Sequence, residues 1–214
     1  PISAGRHIYK REPSFPIAVA CDPAFNFVYE ANIRYLHHLG EVTYFSPLAD
    51  TSLPDAGFVY FPGGYPELYL AALSANRQML QSIRRYVESG GKLLAECGGM
   101  MYLCDEIRDK NGDVYPMAGV LHQSATMENM KLRLGYRTLL YNETRLKGHE
   151  FHYSRLVEQQ NPLPSCAVAY TAKGVETDTP LYHYKNVWAG YTHLYWADPV
   201  GNEWFTKFVI DGNT

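Results

Sequence analysis

The sequence predicts an α/β domain: a doubly wound, mostly parallel sheet with helices on both faces and a β-rich second half. Three observations carry that reading. Short, almost wholly apolar runs recur at 16–20, 42–45, 58–61 and 93–95, the pattern of strands buried on both faces. Amphipathic stretches of helical period lie between several of them, giving the alternation of a parallel sheet. The last of these runs passes through paired glycines straight into a helix-forming segment, 100–104.

The elements follow in order. Residues 1–15 are polar and punctuated by Gly and Pro without a period, which reads as a linker leading into one domain, 16–214. Pro16-Ile17-Ala18-Val19-Ala20 is the first strand. Phe27, Ile33, Leu36 and Leu39 then mark an amphipathic helix that closes at Gly40. Strands at 42–45 and 58–61 precede a longer helix over 76–88 and the strand beginning at Lys92. After the turn signal Asn111-Gly112, strand-like runs at 117–121, 134–141 and 148–157 predict a more antiparallel region. A late strand over 186–195 and a closing helix to about residue 210 complete the chain.

Composition bounds the function. A chain of 214 residues, 46% hydrophobic and 19% charged, can bury a sizeable core. Its net charge of −3 supplies no basic field for nucleic acid or an anionic membrane. No apolar run approaches the roughly 20 residues of a membrane span, and no signal-peptide core opens the chain. The 4 cysteines (Cys21, Cys97, Cys104, Cys166) form no CxxC pair, so a reducing, cytoplasmic setting is expected rather than disulfides or zinc.

The chemistry concentrates on Ala95-Glu96-Cys97-Gly98-Gly99. The small residues Ala95 and Gly99 permit a sharp strand-to-helix turn that exposes the cysteine, the logic of a nucleophile elbow. Such a place favours the thiolate, which predicts a thiol pKa drawn down toward neutrality. A lone cysteine is otherwise more often an inert core residue. Ligands of doubly wound sheets bind beyond the carboxyl ends of the strands, where Cys97 falls. Pro62-Gly63-Gly64-Tyr65-Pro66-Glu67, at the end of the neighbouring strand, forms a nest whose Gly64 N–H and that of Gly98 would hold an oxyanion. His193, at the C-terminal end of the late strand, is the candidate general base. In Gly148-His149-Glu150-Phe151-His152-Tyr153-Ser154, alternate residues face opposite ways. The His and Glu side chains therefore read as hydrogen-bonded pocket residues and not as ligands converging on one metal.

Six segments in order carry a resemblance: 17–25, 45–50, 63–67, 95–103, 134–136 and 148–154. With them the sequence resembles the triad-type glutamine amidotransferase domain of cobyrinic acid a,c-diamide synthase and its cobyric acid synthase relatives, over about residues 17–196. The resemblance implies a flavodoxin-like class I glutamine amidotransferase fold. It implies hydrolysis of L-glutamine by Cys97 and His193, with Gly64 and Gly98 as the oxyanion hole. Tyr65, Glu67, Gly99, His149, Glu150, His152 and Tyr153 would line the substrate pocket, and no metal is expected. Released ammonia would serve an ATP-dependent synthetase domain acting on a tetrapyrrole. ATP and Mg²⁺ would belong to that domain, since no Gly-x-x-x-x-Gly-Lys-Ser/Thr signature occurs here, and the chain reads as a C-terminal piece. Class I enzymes usually place a Glu two residues after the histidine; here that residue is Tyr195, so Glu150 and Asp198 stand as alternatives for the third triad member. A weak orienting group predicts low basal glutaminase activity. The competing readings are a cysteine hydrolase acting on another amide and a non-catalytic partner module.

Overall fold

A computed structural model describes residues 15–211. Residues 1–14 of the expected linker lie outside the described residues, and Phe15 is already the first residue of a strand. The chain runs through β1 (Phe15–Ala20), α1 (Glu30–Leu39), β2 (Gly40–Phe45), β3 (Phe58–Phe61), α2 (Leu70–Ala75), α3 (Arg77–Glu88), β4 (Lys92–Glu96) and α4 (Gly98–Leu103). Short strands β5 (Glu106–Arg108), β6 (Val114–Pro116) and β7 (Ser124–Thr126) follow, then the long hairpin β8 (Arg133–Tyr141) and β9 (Thr144–His152). The last part holds β10 (Arg155–Leu156), β11 (Val168–Thr171), β12 (Glu176–Thr177), β13 (Leu181–Tyr184), β14 (Val187–Gly190), β15 (His193–Leu194) and α5 (Pro199–Thr206).

The central sheet has the order β13-β14-β4-β3-β1-β2 and is parallel except at β13, which pairs antiparallel with β14. Both of its faces are covered, as the apolar runs require. Ala18, Val59, Phe61, Leu93 and Ala95 point into a core shared with Leu73, Met79, Ile83 and Met100. Ile17, Phe58, Tyr60, Leu94 and Trp188 point the other way, into a core with Leu36, Trp204 and Phe205. Leu139 and Leu146 of the β8–β9 hairpin join this second core, which seats the β-rich half on the sheet. Among the described residues no helix is long and apolar enough to cross a membrane.

Four expected boundaries move. The first helix begins at Glu30 and not near Phe27, because the Phe27 N–H donates to the Gly63 carbonyl at 2.9 Å. The strand expected over 117–121 is a loop. The N–H groups of Ala118, Val120 and Leu121 donate to the carbonyls of Tyr102 and Leu103, so the segment satisfies the open end of α4 instead of a ladder. The run 148–157 divides at Tyr153-Ser154: β9 stays in the hairpin, while β10 pairs with β7 in another sheet. The run 186–195 divides too. Its first part, β14, lies beside β4; its second, β15, turns away at Tyr191-Thr192 to pair with β9. The closing helix ends in a wider π-helical turn, Lys207–Asp211.

Candidate active site

Cys97 sits between β4 and α4 with φ 49° and ψ −106°, a strained geometry for a residue carrying a Cβ. The neighbours that allow it are small. A Cβ on Gly99 would lie 2.3 Å from the Phe61 carbonyl oxygen, and one on Gly98 would lie 2.7 Å from the Pro66 ring. The Cys97 N–H donates to Gly190 O at 2.8 Å, which ties the turn to the end of β14.

Cys97 is buried (4% exposed) at the base of a cavity of ≈ 20 Å³. Gly64, Tyr65, Glu67, Met101, Phe151, His152, Tyr153 and Ser154 complete the lining. Of the expected pocket residues, Tyr65, Glu67, His152 and Tyr153 therefore meet Cys97. Gly99 packs beneath the turn. Glu150, two residues before His152 on the same face of β9, lines a second cavity of ≈ 230 Å³ and pairs with Arg137 at 2.7 Å. His152 and Ser154 line both cavities. His149 lies on the other side, its ring stacked on that of His193 at 4.9 Å and its Nδ1 bonded to the Tyr29 hydroxyl.

His193 is not at the end of a parallel strand. It opens β15, three residues past the Gly190 carbonyl that holds Cys97, and its ring packs against the Gly63 turn and Phe27. A Cβ on Gly63 would lie 2.1 Å from His193 Cε1. Among the described residues no hydrogen bond joins the Cys97 thiol to this ring; Sγ lies 3.8 Å from the Phe151 carbonyl. Nδ1 of His193 has no partner either. Neither candidate third member reaches it. Glu150 pairs with Arg137, and Asp198 caps α5 by accepting the Gly201 N–H.

The electrostatics correct the expectation of a low thiol pKa. Burial pushes the Cys97 thiol up to about 12, Glu67 adds to the rise, and the Gly98 N–H opposes it. Desolvation outweighs the end of a helix only six residues long. Burial, then the neighbouring His149 and His152, holds His193 down at about 3. The resting pair is a neutral thiol and a neutral imidazole.

Sequence reasoning missed Glu96, Phe27, Tyr29 and Ser154. Glu96 carried a signal: a carboxylate one residue before Cys97, inside an otherwise apolar strand, has to be buried and has to find partners.

A cysteine on a strand-to-helix turn above a doubly wound sheet, beside a glycine turn on the adjacent strand, places the chain among α/β proteins with an elbow cysteine, the class to which glutamine amidotransferases belong. The fold agrees with solved members. PurLQS from Thermotoga maritima superposes with a TM-score of 0.58 at 16% identity, covering 92% of this chain and 96% of that one. A structure described as a glutamine amidotransferase gives 0.57 at 15% identity, covering 90% and 98%. The chain belongs to the CobB/CobQ-like glutamine amidotransferase domain family, whose model matches residues 16–200. It is 40% identical over 185 residues to a hydrogenobyrinate a,c-diamide synthase of Pseudomonas aeruginosa, covering 84% of this chain and 41% of the relative. It is 39% identical over 188 residues to a cobyrinate a,c-diamide synthase of Fusobacterium nucleatum, again covering 84% and 41%. The chain thus spans less than half the length of these relatives.

Proposed function

We propose that this chain hydrolyses L-glutamine at Cys97 and supplies the ammonia for ATP-dependent amidation of the a and c carboxylates of a corrin precursor. The observation that carries the reading is Cys97 itself, held at φ 49° on the turn after the central strand β4. That strained turn puts the thiol against a small cavity lined by Gly64, Tyr65, Glu67 and His152.

The thiol attacks the side-chain amide carbon of glutamine while its proton passes to the His193 imidazole. The N–H groups of Gly64 and Gly98 hold the tetrahedral oxyanion. The imidazolium returns the proton to the departing nitrogen, ammonia leaves, and a thioester remains. His193 then takes a proton from water, hydroxide adds to the thioester, and glutamate and free thiol are released. A neutral imidazole is the form this role needs. Hydrogen bonds of this kind are commonly long before substrate binds and tighten in the complex. Tyr65, Glu67, His152 and Tyr153 surround the substrate; ATP and Mg²⁺ belong to the synthetase partner, whose tetrapyrrole substrate receives the ammonia. All 4 cysteines are free, which supports a reducing, cytoplasmic setting.

The test is covalent labelling by a diazoketone analogue of glutamine. Stoichiometric modification of Cys97, blocked by glutamine, is expected; an unlabelled thiol, or labelling that glutamine does not slow, sinks the reading.

A further inference from the structure

The fragment bearing His193 is two residues long, and the imidazole has no polar partner at Nδ1. Its place has to come from the backbone on which it is mounted. Besides its pairing with β9, that backbone is held by two buried side chains. From β4, Glu96 Oε1 accepts the Leu194 N–H at 3.0 Å and the Trp196 indole N–H at 3.4 Å. Glu96 Oε2 accepts the Tyr60 hydroxyl proton at 2.7 Å. From α1, Asn32 Nδ2 donates to the Leu194 carbonyl at 2.8 Å, and its Oδ1 accepts the Trp196 N–H at 3.0 Å. Both polar groups of the Leu194 peptide are therefore held by buried side chains, Glu96 at 2% exposure and Asn32 at 0%. The residue where an orienting acid would touch the ring is Tyr195, and neither Glu150 nor Asp198 replaces it.

We propose that Glu96 is a positioning residue for His193: through the Leu194 N–H it sets where the imidazole stands over the Gly63 turn. One side of residue 96 thus carries the nucleophile by direct peptide linkage, and its carboxyl carries the base by a hydrogen bond. Residue 96 links the two groups directly, alongside the Asn32 bonds and the pairing with β9. The proposal rests on the glutaminase reading for its kinetic consequence, while its geometric content stands apart from it.

The experiment compares Glu96→Gln, Glu96→Asp and Glu96→Met in the full chain by steady-state glutamine hydrolysis and by ¹⁵N resonances of the His193 ring. Gln keeps an acceptor for Leu194 and offers an amide to the Tyr60 oxygen. It is expected to hold kcat within about 3-fold of wild type and leave the ring resonances in place. Asp draws the acceptor back by one methylene and Met removes it. Both are expected to lower kcat by about 30-fold or more, with KM within about 3-fold, and to shift the ring resonances. Alkylation of Cys97 by iodoacetamide should stay near the wild-type rate, since the turn itself is intact. Gln behaving like Met, unshifted resonances in Asp, or a parallel loss of alkylation would overturn the proposal. Should Met fail to fold, the Asp–Gln pair decides. A wild-type chain that neither hydrolyses glutamine nor accepts the diazoketone would refute the glutaminase reading instead, and the ring resonances would still judge Glu96.

Discussion

At the scale of single residues, the site is defined by burial more than by helix dipoles. With Cys97 held up at about 12 and His193 down at about 3, the resting thiol is protonated throughout the neutral range. Its alkylation rate without glutamine should rise about tenfold per pH unit from 6 to 9 with no plateau; a plateau beginning below pH 7 would reveal a pre-formed ion pair. Cys97→Ser should abolish glutamine hydrolysis while leaving thermal unfolding within a few degrees, as checked by ammonia release and circular dichroism. Glu96 makes a separate prediction. Burial pushes its carboxyl from 4.5 up to about 7 against the opposing bonds from Tyr60, Leu194 and Trp196. A carboxyl raised in the fold keeps its proton where the unfolded chain has lost it, so its contribution is fullest below pH 4.5 and drains away as pH rises through 7. Glu96→Gln cannot titrate. Its stability relative to wild type should therefore climb between pH 4.5 and 8 by on the order of 3 kcal/mol in denaturant unfolding.

At the scale of elements, the Gly63-Gly64 turn and β15 have to fit each other. A methyl group at Gly63 would overlap the His193 ring. Gly63→Ala should thus cost about 100-fold or more in kcat, with little change in the stability of the central sheet; wild-type turnover would show that the ring can move without penalty. Asn32→Leu leaves the Leu194 carbonyl and the Trp196 N–H without their partner. It should destabilise the fold by about 2–4 kcal/mol, measured by urea unfolding. The expected strand at 117–121 failed for a related reason. Its apolar residues suit a strand, but α4 is only six residues long and most of its backbone carbonyls would otherwise be orphaned. The loop satisfies them, and that need outranks intrinsic preference.

At the scale of the whole molecule, this chain matches less than half the length of its curated relatives. Among the described residues no hydrogen bond joins Cys97 to His193, and the cavity beside the thiol is only ≈ 20 Å³. Joining the chain to the synthetase portion of a relative should raise glutaminase turnover at least about tenfold; full activity of the chain alone would contradict this. How much of this was legible follows the range of the interactions. The parallel strands, the elbow at Cys97 and the alternation along β9 are local patterns of two to seven residues, and each was readable directly. The split of 186–195 was not, because β15 leaves its strand for partners on β9 some 45 residues earlier. The clamp by Glu96 and Asn32 was equally hidden, spanning sequence separations of 98 and 162. The sequence by itself determined the doubly wound sheet and the turn that carries Cys97, because apolar period and glycine placement act between neighbours in the chain. Only the tertiary structure decided which groups stand around that thiol and in what charge state, because burial and long-range hydrogen bonds exist only once distant segments have met.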